Sequence, residues 1–256
     1  MLDWKHGQLS ARHSSLARSF AMPTNRRYSE FCATAPRRLA VRKASGNASV
    51  LRLTKTRTAE QRMTVDQYLA LPEDDEKSEL IDGVLVVSPS AGFWHQDLCG
   101  ELLFLLKRWV RAHGLGQIWF DLDMVLDEKR GIVYRPDLVY LSKAHLNRLR
   151  RERIFGPADL CVEIISISDK PQVLLRKHQD YARYGVRWYW EIHRREADWQ
   201  LLEYELGQAQ EYVLRQEVSG QEWFEPGLFA GLIFRLGPLA EGDFKQAVKG
   251  RAKRLV

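Results

Sequence analysis

"PADLCVEIISIS", residues 157–168, is the stretch on which the fold turns. Leu160, Cys161, Val162, Ile164, Ile165 and Ile167 form a nearly unbroken apolar run, bounded by Pro157 and by the polar Ser168-Asp169-Lys170. A run of that length predicts a strand buried on both faces. Glu163 sits in its middle. An unpaired carboxylate taken out of water costs on the order of several kcal/mol, so a neighbouring group must share its charge.

The segments on either side say what covers this strand. Downstream, "SDKPQVLLRKHQDYARYG" (168–185) predicts a helix with Ser168 or Asp169 as N-cap, a proline in the first turn and Gly185 past the end. "VRWYWEIH", "WQLLEYEL" and "QEYVLRQEV" follow as closing strands, with "GLFAGLIFRLG" packing near the end. Trp188, Tyr189 and Trp190 are read as core strand residues rather than a platform for stacking bases.

Upstream, "QIWFDLDMVLD" (117–127) and "VYRPDLVYLS" (133–142) each predict one strand, and "KAHLNRLRRER" (143–153) a charged helix. In 93–113, Leu98, Leu102, Leu105, Leu106 and Trp109 recur at three and four, and Gly114 stops the helix. "SELIDGVLVVSP" predicts a strand pair about Asp82-Gly83, and "TVDQYLAL" a short helix capped by Thr64. Strands mixed with helices predict one α/β domain: a central mixed sheet flanked by helices.

Composition sets the outer bounds. The 256 residues, 45% of them hydrophobic, suffice for one sizeable core. No apolar run approaches the ~20 residues that cross a bilayer, so a soluble, cytoplasmic protein is expected. Cys32, Cys99 and Cys161 are odd in number and far apart, which speaks for a reducing compartment and against a thiolate zinc site.

The net charge of +6 is unevenly spread. Residues 1–62 hold 13 basic and three acidic side chains, leaving 26 basic and 30 acidic in 63–256. The basic excess therefore belongs to the N-terminal segment, read as disordered. It could be a nucleic-acid-binding arm, a transit peptide or sequence upstream of the true start; the last, or an idle tail, is favoured. The expected organisation is a disordered segment at 1–62, a domain at 63–240 and a basic tail at 241–256.

Two carboxylates suggest chemistry. Asp137 follows Pro136 at the head of "LVYL", and Glu163 lies inside the next central strand. Like charges about 4 Å apart repel by about 4 kcal/mol at an effective dielectric of about 20, so two such groups on neighbouring strands ask for a divalent cation. Hard oxygen ligands suit Mg2+, with Mn2+ an alternative. Lys177 shares the inward stripe Leu174, Tyr181 and Tyr184, and His95 falls on the face of Leu98, Leu102 and Trp109. Plainer roles stay open: Glu163 in a structural ion pair, Asp137 capping a turn, His95 in the core, Lys177 reaching solvent.

"ELIDGVLVVSPS…H", "RPDLVYL", "DLCVEIIS" and "K…YARYGVRWYW" resemble, in order, the motifs of the Uma-two family of restriction-endonuclease-like proteins, within the PD-(D/E)XK superfamily. The resemblance covers about residues 63–195. It implies a nuclease fold, Asp137 and Glu163 as ligands of a catalytic magnesium, Glu79 as a further acid and ligand, and His95 as the family's histidine. The superfamily lysine stands two residues after the second acid, where this chain has Ile165; Lys177 is the expected substitute. "SISDK" replaces the usual Ser-Pro-Ser-Thr, and Trp188 replaces a glutamate.

The resemblance implies a metal-dependent endonuclease that acts on DNA and leaves a 5′ phosphate; the acidic balance of 63–256 predicts weak DNA affinity unless a homodimer or the basic tails assist. The alternative is a catalytically reduced member that binds nucleic acid or a protein partner.

Overall fold

The computed structural model describes residues 62–72, 77–166, 171–196 and 198–255. The segment read as a disordered arm lies outside the described residues apart from Arg62, and so do both candidate caps, Ser168 and Asp169.

The chain opens with α1 (Val65–Leu69), where Thr64 accepts from the Gln67 N–H and Gln67 reaches back to the Thr64 N–H. β1 (Ser78–Ile81) and β2 (Val84–Val87) form the expected hairpin, with Asp82 and Gly83 both at positive φ, as a two-residue turn between strands requires. α2 (Phe93–Ala112) buries Leu98, Leu102, Leu105, Leu106 and Trp109, and Gly114 follows at φ 57°.

The next two segments depart from the expected pair of strands. β3 (Gly116–Phe120) and β4 (Met124–Asp127) are separated by Asp121 at φ 49°; β5 (Ile132–Tyr134) and β6 (Leu138–Ser142) are separated at Arg135-Pro136, where proline offers no N–H to a ladder. Both breaks carry the chain from one sheet to another.

"KAHLNRLRRER" is not an α-helix. A 3-10 turn (Lys143–Arg148) leads into the hairpin of β7 (Leu149–Arg150) and β8 (Arg153–Phe155). Leu146 and Leu149 alone make too short an apolar stripe to hold a helix, while Ile154 gains a fully buried strand position opposite Met124. β9 (Leu160–Ile165), α3 (Pro171–Tyr184), β10 (Trp188–Arg195), β11 (Asp198–Leu206) and β12 (Tyr212–Ser219) follow as read. β13 (Ile233–Phe234), α4 (Leu236–Ala240), α5 (Phe244–Ala247) and β14 (Val248–Lys249) complete the chain with a last 3-10 turn (Gly250–Arg254).

Among the described residues there are two six-stranded sheets and a short ribbon. The first runs β12-β11-β10-β9-β6-β3 and the second β2-β1-β5-β4-β8-β7, with β13 and β14 as the ribbon. The first sheet is mixed, because β9 and β10 are parallel while β6 and β9 are antiparallel. β9 lies inside this sheet, as its apolar run requires. Along it, Leu160, Val162 and Ile164 join the cluster of Leu98, Leu102 and Trp109, whereas Cys161 packs with Val139, Tyr181 and Tyr189. The period of two puts Glu163 on the Cys161 face.

Residues 241–255 are folded, although their composition reads as a tail. Ala247, Val248 and Ala252 are fully buried in the main core, which the small alanine side chains enter between solvated lysines and arginines. A chain ending at Ala247 is expected to melt at a lower temperature, since burying a valine contributes about 1.5–3 kcal/mol. An unchanged thermal transition would show that this packing adds nothing. Among the described residues no helix is long and apolar enough to cross a membrane.

Candidate active site

Register brings the two carboxylates together. Leu138 pairs with Val162 and Val139 with Cys161, so the next step along this antiparallel ladder sets Asp137 against Glu163 on the same face. Asp137 Oδ2 accepts the Ile164 N–H at 2.7 Å, a bond that fixes the carboxylate at the mouth of β9. Glu79 arrives from the other sheet. Its strand pairs with β5, and its Oε1 accepts the Arg135 N–H at 3.0 Å where the chain crosses between sheets.

Lys177 supplies the counter-charge. Its Nζ lies 2.8 Å from Glu79 Oε1 and 3.1 and 3.2 Å from the two Glu163 oxygens, and the Tyr181 hydroxyl donates to Glu163 Oε1 at 2.7 Å. One helical turn of α3 thus provides both partners of Glu163. His95, in the first turn of α2, sets Nε2 3.1 Å from Asp137 Oδ2. All five residues singled out in the sequence line one open cleft of about 740 Å³.

Sequence reading missed Lys77. Its Nζ is 2.6 Å from Asp137 Oδ1, inside the same cleft. The available signal was its spacing of two from Glu79, which puts both on one face at the start of β1.

The charges are unequally held. Burial opposes ionisation of Asp137, yet Lys77 and His95 hold its carboxyl below the usual carboxylate range. Burial pushes Glu163 up, against Lys177 and Lys77. Burial would neutralise Lys177, but Glu163 and Glu79 outweigh it and keep the ammonium above the usual lysine range.

The donor set suits a hard cation: the β6–β9 register sets the carboxylates of Asp137 and Glu163 on one face, and Glu79 Oε2 is buried with no hydrogen-bond partner among the described residues. What is not preformed is a closed cage. Among the described residues no three His, Cys, Asp or Glu side chains are grouped as a cation site; Lys77 and Lys177 lie against the carboxylates instead.

Comparison with known proteins agrees with this architecture. A structure titled "Crystal structure of a putative nuclease belonging to DUF820", from Anabaena variabilis ATCC 29413, is 18% identical, covers 70% of this chain and 98% of its own, and superposes with a TM-score of 0.56. That likeness establishes the shared fold. No curated protein matches the chain. The model of the Uma2 family, described as "Putative restriction endonuclease", matches residues 65–236, from the first turn of α1 into α4 and across every strand that builds the cleft. With well over half its length matched in this way, the chain belongs to the Uma2 family of restriction-endonuclease-like proteins.

Proposed function

We propose that the protein is a Mg2+-dependent endonuclease that hydrolyses phosphodiester bonds of DNA in this cleft. What supports the reading is the β6–β9 register, whose next step sets Asp137 against Glu163, together with the contacts of Lys177 to Glu79 and Glu163. Asp137 and Glu163, helped by Glu79, would hold the ion. Once bound there, the ion supplies Lewis-acid charge that activates water and offsets the charge of the phosphate.

The chain's own groups divide the remaining work. The Ile164 N–H and Lys77 fix the orientation of Asp137, and Tyr181 fixes Glu163. Lys177 is held protonated, so it acts as a cation toward the phosphate rather than as a base. It does so from α3, which replaces the lysine absent at Ile165. Loss of the 3′ oxygen would leave the 5′ phosphate on the other fragment.

Plasmid incubated with the full chain should be nicked in magnesium and intact in EDTA. Equal outcomes in both would end the assignment. The second reading, a catalytically reduced member that binds without cutting, is favoured by the lysines that already neutralise the carboxylates. Calorimetric titration with Mn2+ separates the two: a stoichiometric site supports the nuclease, and its absence supports the reduced member.

A further inference from the structure

The cleft is much larger than a phosphate needs, and its chemistry is lopsided. The carboxylates and lysines cluster through their mutual contacts, and Val86, Val87, Pro89, Phe120, Val173 and Leu174 are the apolar members of the same lining that concern a ligand. Continuous duplex keeps its base faces stacked inside and offers a protein chiefly phosphates, which are rewarded by cations. Among the described residues, the three lysine and arginine side chains of this lining are committed: Lys77 to Asp137, Lys177 to Glu79 and Glu163, and Arg135 to Asp123. Residues 63–256 as a whole carry more acid than base. Among the described residues, no lysine or arginine of the lining is left over from these pairs to follow a charged backbone beyond the reacting phosphate.

The apolar wall suits a base. Phe120 closes β3 opposite Leu138, the residue after Asp137, and the adjoining Asp121 N–H donates to the Asp137 carbonyl. Its side chain lines the cleft and remains 59% exposed. A phenyl ring left in water in the same cleft as the carboxylates is a surface on which any unpaired base can stack. We infer that the cleft takes an unpaired nucleotide, its base against Phe120, so that the substrate is single-stranded or locally unpaired nucleic acid rather than continuous duplex. As a statement about substrate this rests on the nuclease reading; the stacking contact can be measured without it.

The test uses the full chain and one sequence presented as a labelled single strand and as a blunt duplex. Binding is followed by fluorescence anisotropy in EDTA, and cleavage of the same two molecules in magnesium. The single strand should bind at least about 10-fold more tightly than the duplex. Phe120→Ala should weaken single-strand binding by about 5- to 100-fold, the range for one lost stack, and Phe120→Trp should restore it. Neither variant should change duplex binding. Equal binding of the two forms, an unchanged Phe120→Ala affinity, or no binding at all would overturn the inference. Phe120-dependent binding without any cleavage would leave the stacking contact standing and end the nuclease reading. Duplex cut as fast as single strand would do the reverse.

Discussion

Asp137→Asn is expected to lower magnesium-dependent cleavage by at least about 10²-fold, the scale seen when one charge-stabilising group is removed from a preorganised site. The variant should still fold. Asparagine keeps an oxygen to accept the Ile164 N–H, and Lys77, at 24% exposure, can turn its ammonium toward water. The stability lost should be about 1–3 kcal/mol, typical of a disturbed buried hydrogen-bonding group.

The pH dependence gives a second readout. In the native protein Asp137 ionises below its usual range, so its contribution is present above the unfolded pKa of about 3.9 and is lost as pH falls through the lower folded value. The gap in melting temperature between native protein and variant should therefore be widest near neutrality and close in acid. Native-level cleavage by the purified variant would remove Asp137 from the chemistry. A melting gap that persists undiminished in acid would show that its charge is not what stabilises the fold.

How much of this was legible in the sequence follows from what alternation can encode. A nearly continuous apolar run interrupted by Glu163 identified β9, and Asp137 followed Pro136 at the head of "LVYL"; together they named two acids expected on neighbouring strands. Lys77 was hidden by its setting, "EDDEKSEL", where one more charge looks like one more solvated side chain. The divided strands were hidden for another reason. An apolar pattern does not change when a strand leaves one sheet for the next, and the breaks at Asp121 and at Arg135-Pro136 are marked only by backbone geometry and a missing N–H.

The turn at Arg151 and Glu152 leaves no mark of its own either, because both residues adopt positive φ without a glycine to announce it. Two strand breaks, inside segments that read as continuous strands, are thus what bring Glu79 from one sheet to Asp137 and Glu163 in the other. The site sits where periodic sequence patterns stop, and so its outer members were the hardest to find.

Lys177→Met tests whether those acids need an internal cation. Methionine fills a similar volume, so the loss is chiefly electrostatic: Glu79 and Glu163 remain buried without the ammonium that touches both. Removing one member of a buried pair costs about 3–5 kcal/mol, and urea denaturation at pH 8 should show a loss of that size together with lost cleavage.

The sign of the pH effect separates this from a packing defect. Lys177 titrates above the usual lysine range, so its stabilisation is intact below about pH 10 and does not change between pH 8 and pH 5. Glu163 is pushed up by burial, so keeping it ionised costs stability above its unfolded pKa, and that cost is relieved as pH falls through the folded value. With Lys177 gone the folded value rises further. The difference from the native protein should accordingly shrink from pH 8 to pH 5.

Adding Glu163→Gln to Lys177→Met should restore much of the stability at pH 8, because it removes the charge that was left alone. A double variant no more stable than Lys177→Met, or a difference that grows in acid, would show that Lys177 fills space here instead of balancing charge.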